Sequence, residues 1–178
     1  SAPPRRDNGR CSGSQGAGSR QCRFTIVATT RKKRPITHRD FRFHFVAIKP
    51  HKFFGYRRER LGALPTVIAD EAKAIVDSLD LLQHAGGIGE VPKALRVALE
   101  TVNVPTLIQY ANRMENKSLG SRLGFLLESF GRSAEGLVHS VSPVKLDPTR
   151  PRIGHTVARW QIVVNVPEYE LADSGGVG

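Results

Sequence analysis

The chain has 178 residues, of which 39% are hydrophobic, and it contains no apolar run long enough for a transmembrane helix. This composition predicts a soluble protein with one packed core. The formal net charge is +11, but 16 of the 27 basic residues and only 3 of the 16 acidic ones precede residue 61. Such a local excess predicts attraction to a polyanion, most commonly a nucleic acid. Two cysteines, Cys11 and Cys22, exclude a disulfide framework and indicate a cytoplasmic location.

Residues 1–21 are rich in Gly, Ser, Arg and Pro without apolar periodicity, which predicts a disordered tail. Strands are expected next at residues 24–29 and 41–48, paired with each other, and the basic connection 30–37 is interpreted as the tip of a hairpin. Residues 56–61 form a predicted edge strand, and residues 65–69 are a candidate for a further short strand.

Four helices are predicted from apolar residues that recur with helical spacing. Asp70 is the expected N-cap of the first, and Lys73 and Asp77 are interpreted as an i, i+4 surface pair on it. The second follows Gly87, and the third covers residues 105–114. The fourth, residues 117–132, has the clearest stripe, with Asn116 or Ser118 as its cap and Gly131 at its end. Its expected buried residues are Leu119, Leu123, Leu126, Leu127 and Phe130.

The C-terminal region predicts a short helix at residues 133–139 and strands at residues 143–146 and 156–166, where Trp160, Ile162 and Val164 alternate with Arg159, Gln161 and Val163. Residues 168–178 are expected to be a flexible tail. The predicted fold is α+β: a small, mainly antiparallel or mixed sheet of N- and C-terminal strands is covered by a central helical bundle, all within one domain of residues 22–167.

Three segments resemble a known family. They are residues 49–56, residues 68–80 with the sequence Ile-Ala-Asp-Glu-Ala-Lys-Ala-Ile-Val-Asp-Ser-Leu-Asp, and residues 116–128 with the sequence Asn-Lys-Ser-Leu-Gly-Ser-Arg-Leu-Gly-Phe-Leu-Leu-Glu. With Gly86-Gly87, they are similar to the C-terminal domain of the AbiEi-type antitoxins, which are also described as predicted transcriptional regulators of viral defence. The resemblance runs from about Phe24 to Asn165. Family members carry a winged helix-turn-helix domain before this region, and no such domain is recognisable in this sequence.

The resemblance implies a non-catalytic antitoxin of a type IV toxin–antitoxin system. Its partner would be a co-encoded nucleotidyltransferase-like toxin, and the domain would contribute to autorepression. The helix face opposite the apolar stripe, with Lys117, Ser121 and Arg122 beside Gly120 and Gly124, is the candidate partner-binding surface. A surface role for Arg122 predicts that Arg122→Glu leaves stability nearly unchanged. The alternative is that the glycines allow tight packing inside one domain.

Two short motifs suggest other chemistry. Glu71-Ala-Lys73 has the acid-x-lysine spacing of metal-dependent nucleases, but it lacks an upstream carboxylate outside an arginine run. Gly86-Gly-Ile-Gly89 precedes a helix, as a phosphate-binding loop does, without the remaining residues of a known fingerprint. The histidines show no pairing typical of zinc. We therefore predict no catalytic residues, no metal and no cofactor, and a nuclease remains the least favoured alternative.

A set of basic residues is the candidate nucleic-acid-binding surface: Arg31, Lys32, Lys33, Arg34, Arg57, Arg58 and Arg60. Contacts to phosphates would make binding electrostatic and weakly sequence-selective. The competing interpretation is that these side chains provide solubility and prevent edge pairing. A stand-alone nucleic-acid-binding transcriptional regulator is accordingly the second candidate function.

Overall fold

A computed structural model describes residues 23–29, 31–38, 41–61, 64–85 and 87–172. The predicted tail at residues 1–21, both cysteines and residues 173–178 lie outside the described residues. The chain separates into two compact units, residues 1–47 and residues 48–178. The region predicted as one domain is therefore divided between them.

The first unit contains three strands, β1 Arg23–Thr29, β2 Ile36–His38 and β3 Phe41–Ala47, in the order β1-β3-β2. The predicted pairing of β1 with β3 is confirmed, but the two strands are parallel. Parallel neighbours cannot be joined by a tight hairpin, so the basic segment is a crossover connection and the hairpin interpretation is wrong. β2 lies within this connection and pairs antiparallel with β3.

The second unit begins with a 3₁₀ helix, Pro50–Lys52, and an antiparallel ribbon of β4 Tyr56–Leu61 and β5 Leu64–Ala69. Gly55 precedes β4 with a positive φ of 67°, where a Cβ would overlap the Tyr110 ring and the Lys73 side chain. The two strands were both predicted, and the structure confirms them. Tyr56 pairs with Ala69 at the base of the ribbon.

The four predicted helices are confirmed as α1 Glu71–Asp80, α2 Glu90–Ala98, α3 Val104–Arg113 and α4 Lys117–Ser129. Local capping explains their boundaries. Asp70 accepts a hydrogen bond from the Lys73 amide at 2.7 Å, and Asn116 accepts from the Leu119 amide at 3.3 Å. Gly131 has a φ of 67°, which allows the chain to leave α4. Fully buried core side chains include Val76, Leu79, Ile88, Leu95, Leu107, Leu119, Leu123 and Leu127.

The C-terminal strands form a small sheet of β6 Val144–Lys145, β7 His155–Val157 and β8 Ile162–Val164, in the order β6-β8-β7. The predicted continuous strand at residues 156–166 is wrong, because a 3₁₀ turn at Ala158–Trp160 and a left-handed Gln161 interrupt it. The predicted alternation fails too, since all three residues of β8 are buried. The interruption places the Trp160 ring against α4.

Two further predictions for the C-terminal region are corrected. Residues 133–139 contain no helix; the Asn112 side chain donates to the Gly136 carbonyl at 2.9 Å and accepts from the Val138 amide at 2.8 Å, which ties this backbone to α3 instead. The expected tail starts with a helix, α5 Glu168–Ala172. Its Glu170 receives two hydrogen bonds from Arg150, at 3.0 and 2.7 Å.

The α+β class is confirmed, but the arrangement of the strands differs from the prediction. The described strands form three separate sheets, and no N-terminal strand pairs with a C-terminal one. Sequence periodicity identifies strands without identifying their partners, which explains the error. Within the described residues, no helix combines the length and the apolarity needed to cross a membrane.

Candidate functional site

The predicted partner-binding residues on α4 occupy different environments. Lys117 is exposed, whereas Ser121 is fully buried and Arg122 is 8% exposed. The Ser121 hydroxyl accepts a hydrogen bond from the Ser140 amide at 3.0 Å. Arg122 Nε donates to the Lys145 carbonyl oxygen at 3.2 Å. The expectation that Ser121 and Arg122 lie on an open face is therefore wrong.

The C-terminal part of the same unit covers this face of α4. A Cβ on Gly120 would overlap the Val138 carbonyl group, and a Cβ on Gly124 would overlap the Trp160 ring. Trp160 is held there because its Nε1 donates to a Glu128 carboxylate oxygen at 2.7 Å. The glycines thus allow close packing inside one unit, which was the alternative interpretation of this motif.

Arg122 is a structural cation in the interior. Besides its bond to β6, its guanidinium lies 3.5 Å from the Leu79 carbonyl oxygen near the end of α1. Burial lowers the pKa of Arg122, and the negative charges of Asp147 and Asp80 oppose that effect. The side chain remains a cation because arginine has a very high intrinsic pKa. It links α1, α4 and β6.

A second buried cation, Lys73, also differs from the prediction of a surface pair. Its side chain is 0% exposed, and its ammonium group is paired with Asp77. The Nζ atom lies 5.0 Å from the Phe54 ring centroid, 5.6 Å from the Tyr56 ring centroid and 3.9 Å from the Met114 sulfur. Burial raises the pKa of Asp77, although the bond from Lys73 acts in the opposite direction. Two aromatic faces and one carboxylate therefore surround the ammonium group.

The Phe54 ring interacts with two cations, Lys73 and Arg113. Arg113 Cζ lies 4.2 Å from the ring centroid, and the Tyr110 ring packs edge-on at 5.1 Å. The Tyr110 hydroxyl donates to the Asp70 carboxylate at 2.9 Å, and this bond raises the pKa of Tyr110. These contacts connect the segment before β4 to α1 and α3.

Asp80, at the end of α1, joins three segments of the second unit. The Asp80 side chain is 6% exposed. It accepts hydrogen bonds from Lys52 Nζ at 2.6 Å and from the side-chain nitrogen of Asn116 at 2.7 Å. Asn116 thus caps α4 with its oxygen and binds Asp80 with its nitrogen. Lys52, Asp80 and Asn116 belong respectively to residues 49–56, 68–80 and 116–128.

The two motifs that suggested other chemistry do not assemble. Both Glu71 oxygens accept from Arg57 at 2.8 Å, and this bond lowers the pKa of Glu71, while Lys73 points into the interior. The residues flanking Gly89 line a surface cleft of about 280 Å³. A Glu170 oxygen lies 3.7 Å from the position of a Cβ on Gly89, which places a negative charge where an anion would bind. Among the described residues, no three His, Cys, Asp or Glu side chains gather into a potential metal-binding group.

The predicted nucleic-acid-binding residues are divided between the two units. Arg31, Lys32, Lys33 and Arg34 are exposed in the part of the β1–β3 crossover that precedes β2, where Lys33 Nζ lies 5.7 Å from the Phe45 ring centroid. Arg57, Arg58 and Arg60 are exposed on β4. Only the last group belongs to the unit that contains α1 and α4.

Comparison of the chain with protein-family models, with curated proteins and with solved structures finds no match. The candidate site therefore rests on the geometry. Sequence reasoning identified Asn116 as a cap but missed its bond to Asp80, and it missed the roles of Lys52 and Phe54. The available signal was that all four lie within the resembling segments.

Proposed function

We propose that this chain is the non-catalytic antitoxin of a type IV toxin–antitoxin system. It counteracts a nucleotidyltransferase-like toxin encoded beside it, and it contributes to repression of its own promoter. The observation that supports this proposal most directly is that Lys52 and Asn116, which belong to two of the resembling segments, both bond to Asp80, which belongs to the third. The resemblance thus falls on residues that form one connected polar cluster inside the second unit. The proposed location is the cytoplasm, because the proposed toxin and the chain's own promoter lie there.

A growth assay tests the antitoxin function. The adjacent nucleotidyltransferase-like protein is expressed from an inducible promoter, with and without this chain, and we expect co-expression to restore growth. Leu123→Asp serves as the control, since Leu123 is 0% exposed and a buried unpaired carboxylate prevents folding. The proposal fails if the wild-type chain accumulates with a helical circular dichroism spectrum and growth is not restored.

The exposed cations favour a second candidate, a stand-alone nucleic-acid-binding regulator. Replacing Arg31, Lys32, Lys33 and Arg34 together with Ser removes four exposed charges. If each contacts a phosphate of duplex DNA, the slope of log K against log salt decreases by about 3.6. DNA binding with this salt dependence, combined with a failure to neutralise the toxin, would favour the second candidate.

A further inference from the structure

The β4–β5 ribbon sorts its three arginines onto two faces. Successive side chains of a strand point to opposite sides, so Arg58 and Arg60 share one face and Arg57 lies on the other with Glu59. Cross-strand pairing places Val67 opposite Arg58 and Pro65 opposite Arg60. The first face therefore carries two arginines with an apolar residue beside each.

The face with Arg57 is already neutralised. Arg57 donates to Glu59 at 2.7 Å and to both oxygens of Glu71 at 2.8 Å, so two carboxylates surround one guanidinium. Within the described part of the chain, Arg58 and Arg60 have no ion-pair partner, and both side chains are exposed. The basic set on β4 thus reduces to two available cations.

This face combines cations with an exposed apolar side chain. Val67 is 63% exposed and lies on the same face of the ribbon as the two arginines. Edge protection and solubility require only the charged side chains, whereas this face also exposes Val67 opposite Arg58. A surface of two guanidinium groups and a methyl-bearing side chain instead matches the exposed edges of base pairs, which offer acceptors on guanine and a methyl group on thymine.

We propose that the β4–β5 ribbon enters the major groove of duplex DNA, with Arg58 and Arg60 directed at base edges and Val67 against a thymine methyl. This rests on the autorepression part of the proposed function. The major groove of B-DNA is about 12 Å wide and accommodates a two-stranded ribbon. Residues i and i+2 of a strand are separated by about 6.8 Å, which equals about two base-pair steps. The two arginines therefore have the spacing to address bases two steps apart.

Affinity for two duplexes of the same sequence tests the proposal. One probe is DNA from the region directly upstream of the chain's own gene, and the other is its RNA counterpart, whose A-form major groove is too deep and narrow for side chains to read. Fluorescence anisotropy on the full chain is expected to show binding to the DNA that is tighter by about 10-fold or more. Arg58→Ser with Arg60→Ser removes most of that preference.

Charge-matched variants separate base contacts from general attraction. Arg31→Ser with Lys32→Ser also removes two positive charges, but it lowers the affinity for both duplexes and leaves their ratio unchanged. Arg58→Lys with Arg60→Lys retains the charge, so we expect the salt dependence of binding to persist. The preference for the upstream DNA over a scrambled DNA duplex is expected to decrease by about 10-fold, because lysine lacks the bidentate geometry of arginine. Urea midpoints equal to that of the wild type show that each variant is folded.

Two results overturn the ribbon proposal: equal affinity of the wild type for the DNA and RNA duplexes, or an unchanged DNA preference after the double replacement by serine. The growth assay supplies an independent outcome. A wild-type chain that prefers DNA but does not neutralise the toxin contradicts the antitoxin function and leaves the ribbon proposal intact. Neutralisation by the serine variant with loss of its DNA preference supports both.

Discussion

Arg122 on α4 and Arg58 on β4 are the same residue type in two contrasting environments. Arg122 is 8% exposed, bonded to backbone carbonyl groups and near two buried or half-buried carboxylates. Arg58 is exposed beside Val67. In the sequence, both looked like surface cations available to a partner. The difference shows that packing against other segments decides whether a charge supports the fold or remains available for binding.

The contrast extends to the polar groups around each arginine. The interior around α1 and α4 satisfies its charges in pairs, with Lys73 on Asp77 and Lys52 on Asp80. Among the described residues, the ribbon pairs Arg57 with carboxylates and leaves Arg58 and Arg60 on its opposite face without an ion-pair partner. A binding surface is therefore better sought among cations that the fold leaves unpaired than among all cations of the sequence.

The largest expected difference in stability is between two single variants, Arg122→Glu and Arg58→Glu. Arg122→Glu places a negative charge in the interior near Asp147 and Asp80, so we expect a loss of about 3–5 kcal/mol or failure to fold. Arg58→Glu changes the free energy of unfolding by less than about 0.5 kcal/mol, because the site is exposed. Urea denaturation measures both. Equal stability of the two variants would mean that the interior position assigned to Arg122 is incorrect.

Gly124→Ala tests whether this face of α4 is covered, because an open face and a covered face predict opposite signs for the change in stability. On an open helix face, alanine would stabilise the helix by up to about 1 kcal/mol relative to glycine. Because the new Cβ overlaps the Trp160 ring, we expect instead a loss of about 1–3 kcal/mol. Thermal denaturation gives the sign. A stabilised variant would show that this face of α4 is open and would restore it as a docking surface.

Removing one hydroxyl from each of two tyrosines compares a bonded group with an unbonded one. The Tyr110 hydroxyl donates to Asp70, so Tyr110→Phe is expected to cost about 0.5–1.5 kcal/mol. The Tyr56 hydroxyl, at the base of the ribbon, is buried without a hydrogen-bond partner among the described residues. Tyr56→Phe should therefore be neutral or slightly stabilising. A larger loss for Tyr56→Phe than for Tyr110→Phe in urea melts would contradict this assignment.

The smallest expected effect is a change in the alkaline part of the stability curve. Burial, assisted by the charge of Asp77, raises the pKa of Tyr56 above its ordinary value. As the pH rises, the Tyr56 hydroxyl therefore loses its proton in the unfolded chain before it does so in the folded chain. The stabilisation from this pKa difference is complete below about pH 10 and is lost as the pH rises through the folded-state pKa. Tyr56→Phe is expected to make the fall in unfolding free energy above this pH less steep. Identical slopes for wild type and variant would show that Tyr56 does not contribute.

Local interactions explain which parts of the structure the sequence predicted. Asp70 and Asn116 cap helices through amides three or fewer residues away, and the α4 stripe requires only helical spacing. These features need no knowledge of distant segments. The α+β class and the β4–β5 strands followed from the same kind of reasoning.

The errors arose where distant segments determine the outcome. Arg122 is buried because β6 and the end of α1 pack on it, and residues 133–139 remain non-helical because Asn112 binds their backbone. Likewise, the pairing of Lys52 with Asp80 joins residues far apart in the chain. Within the candidate site, the sequence indicated the basic residues, whereas only the structure showed that Glu59 and Glu71 neutralise Arg57.

The contact between Gly124 and Trp160 has a consequence for folding. Trp160 is the only tryptophan of the chain, 4% exposed and bonded to Glu128, so its fluorescence reports when the C-terminal segment closes on α4. Far-ultraviolet circular dichroism reports the helices as a whole. If the second unit folds in one step, both signals change together. A fluorescence change that precedes the loss of helix would reveal a state in which the helices persist and the C-terminal segment has already detached.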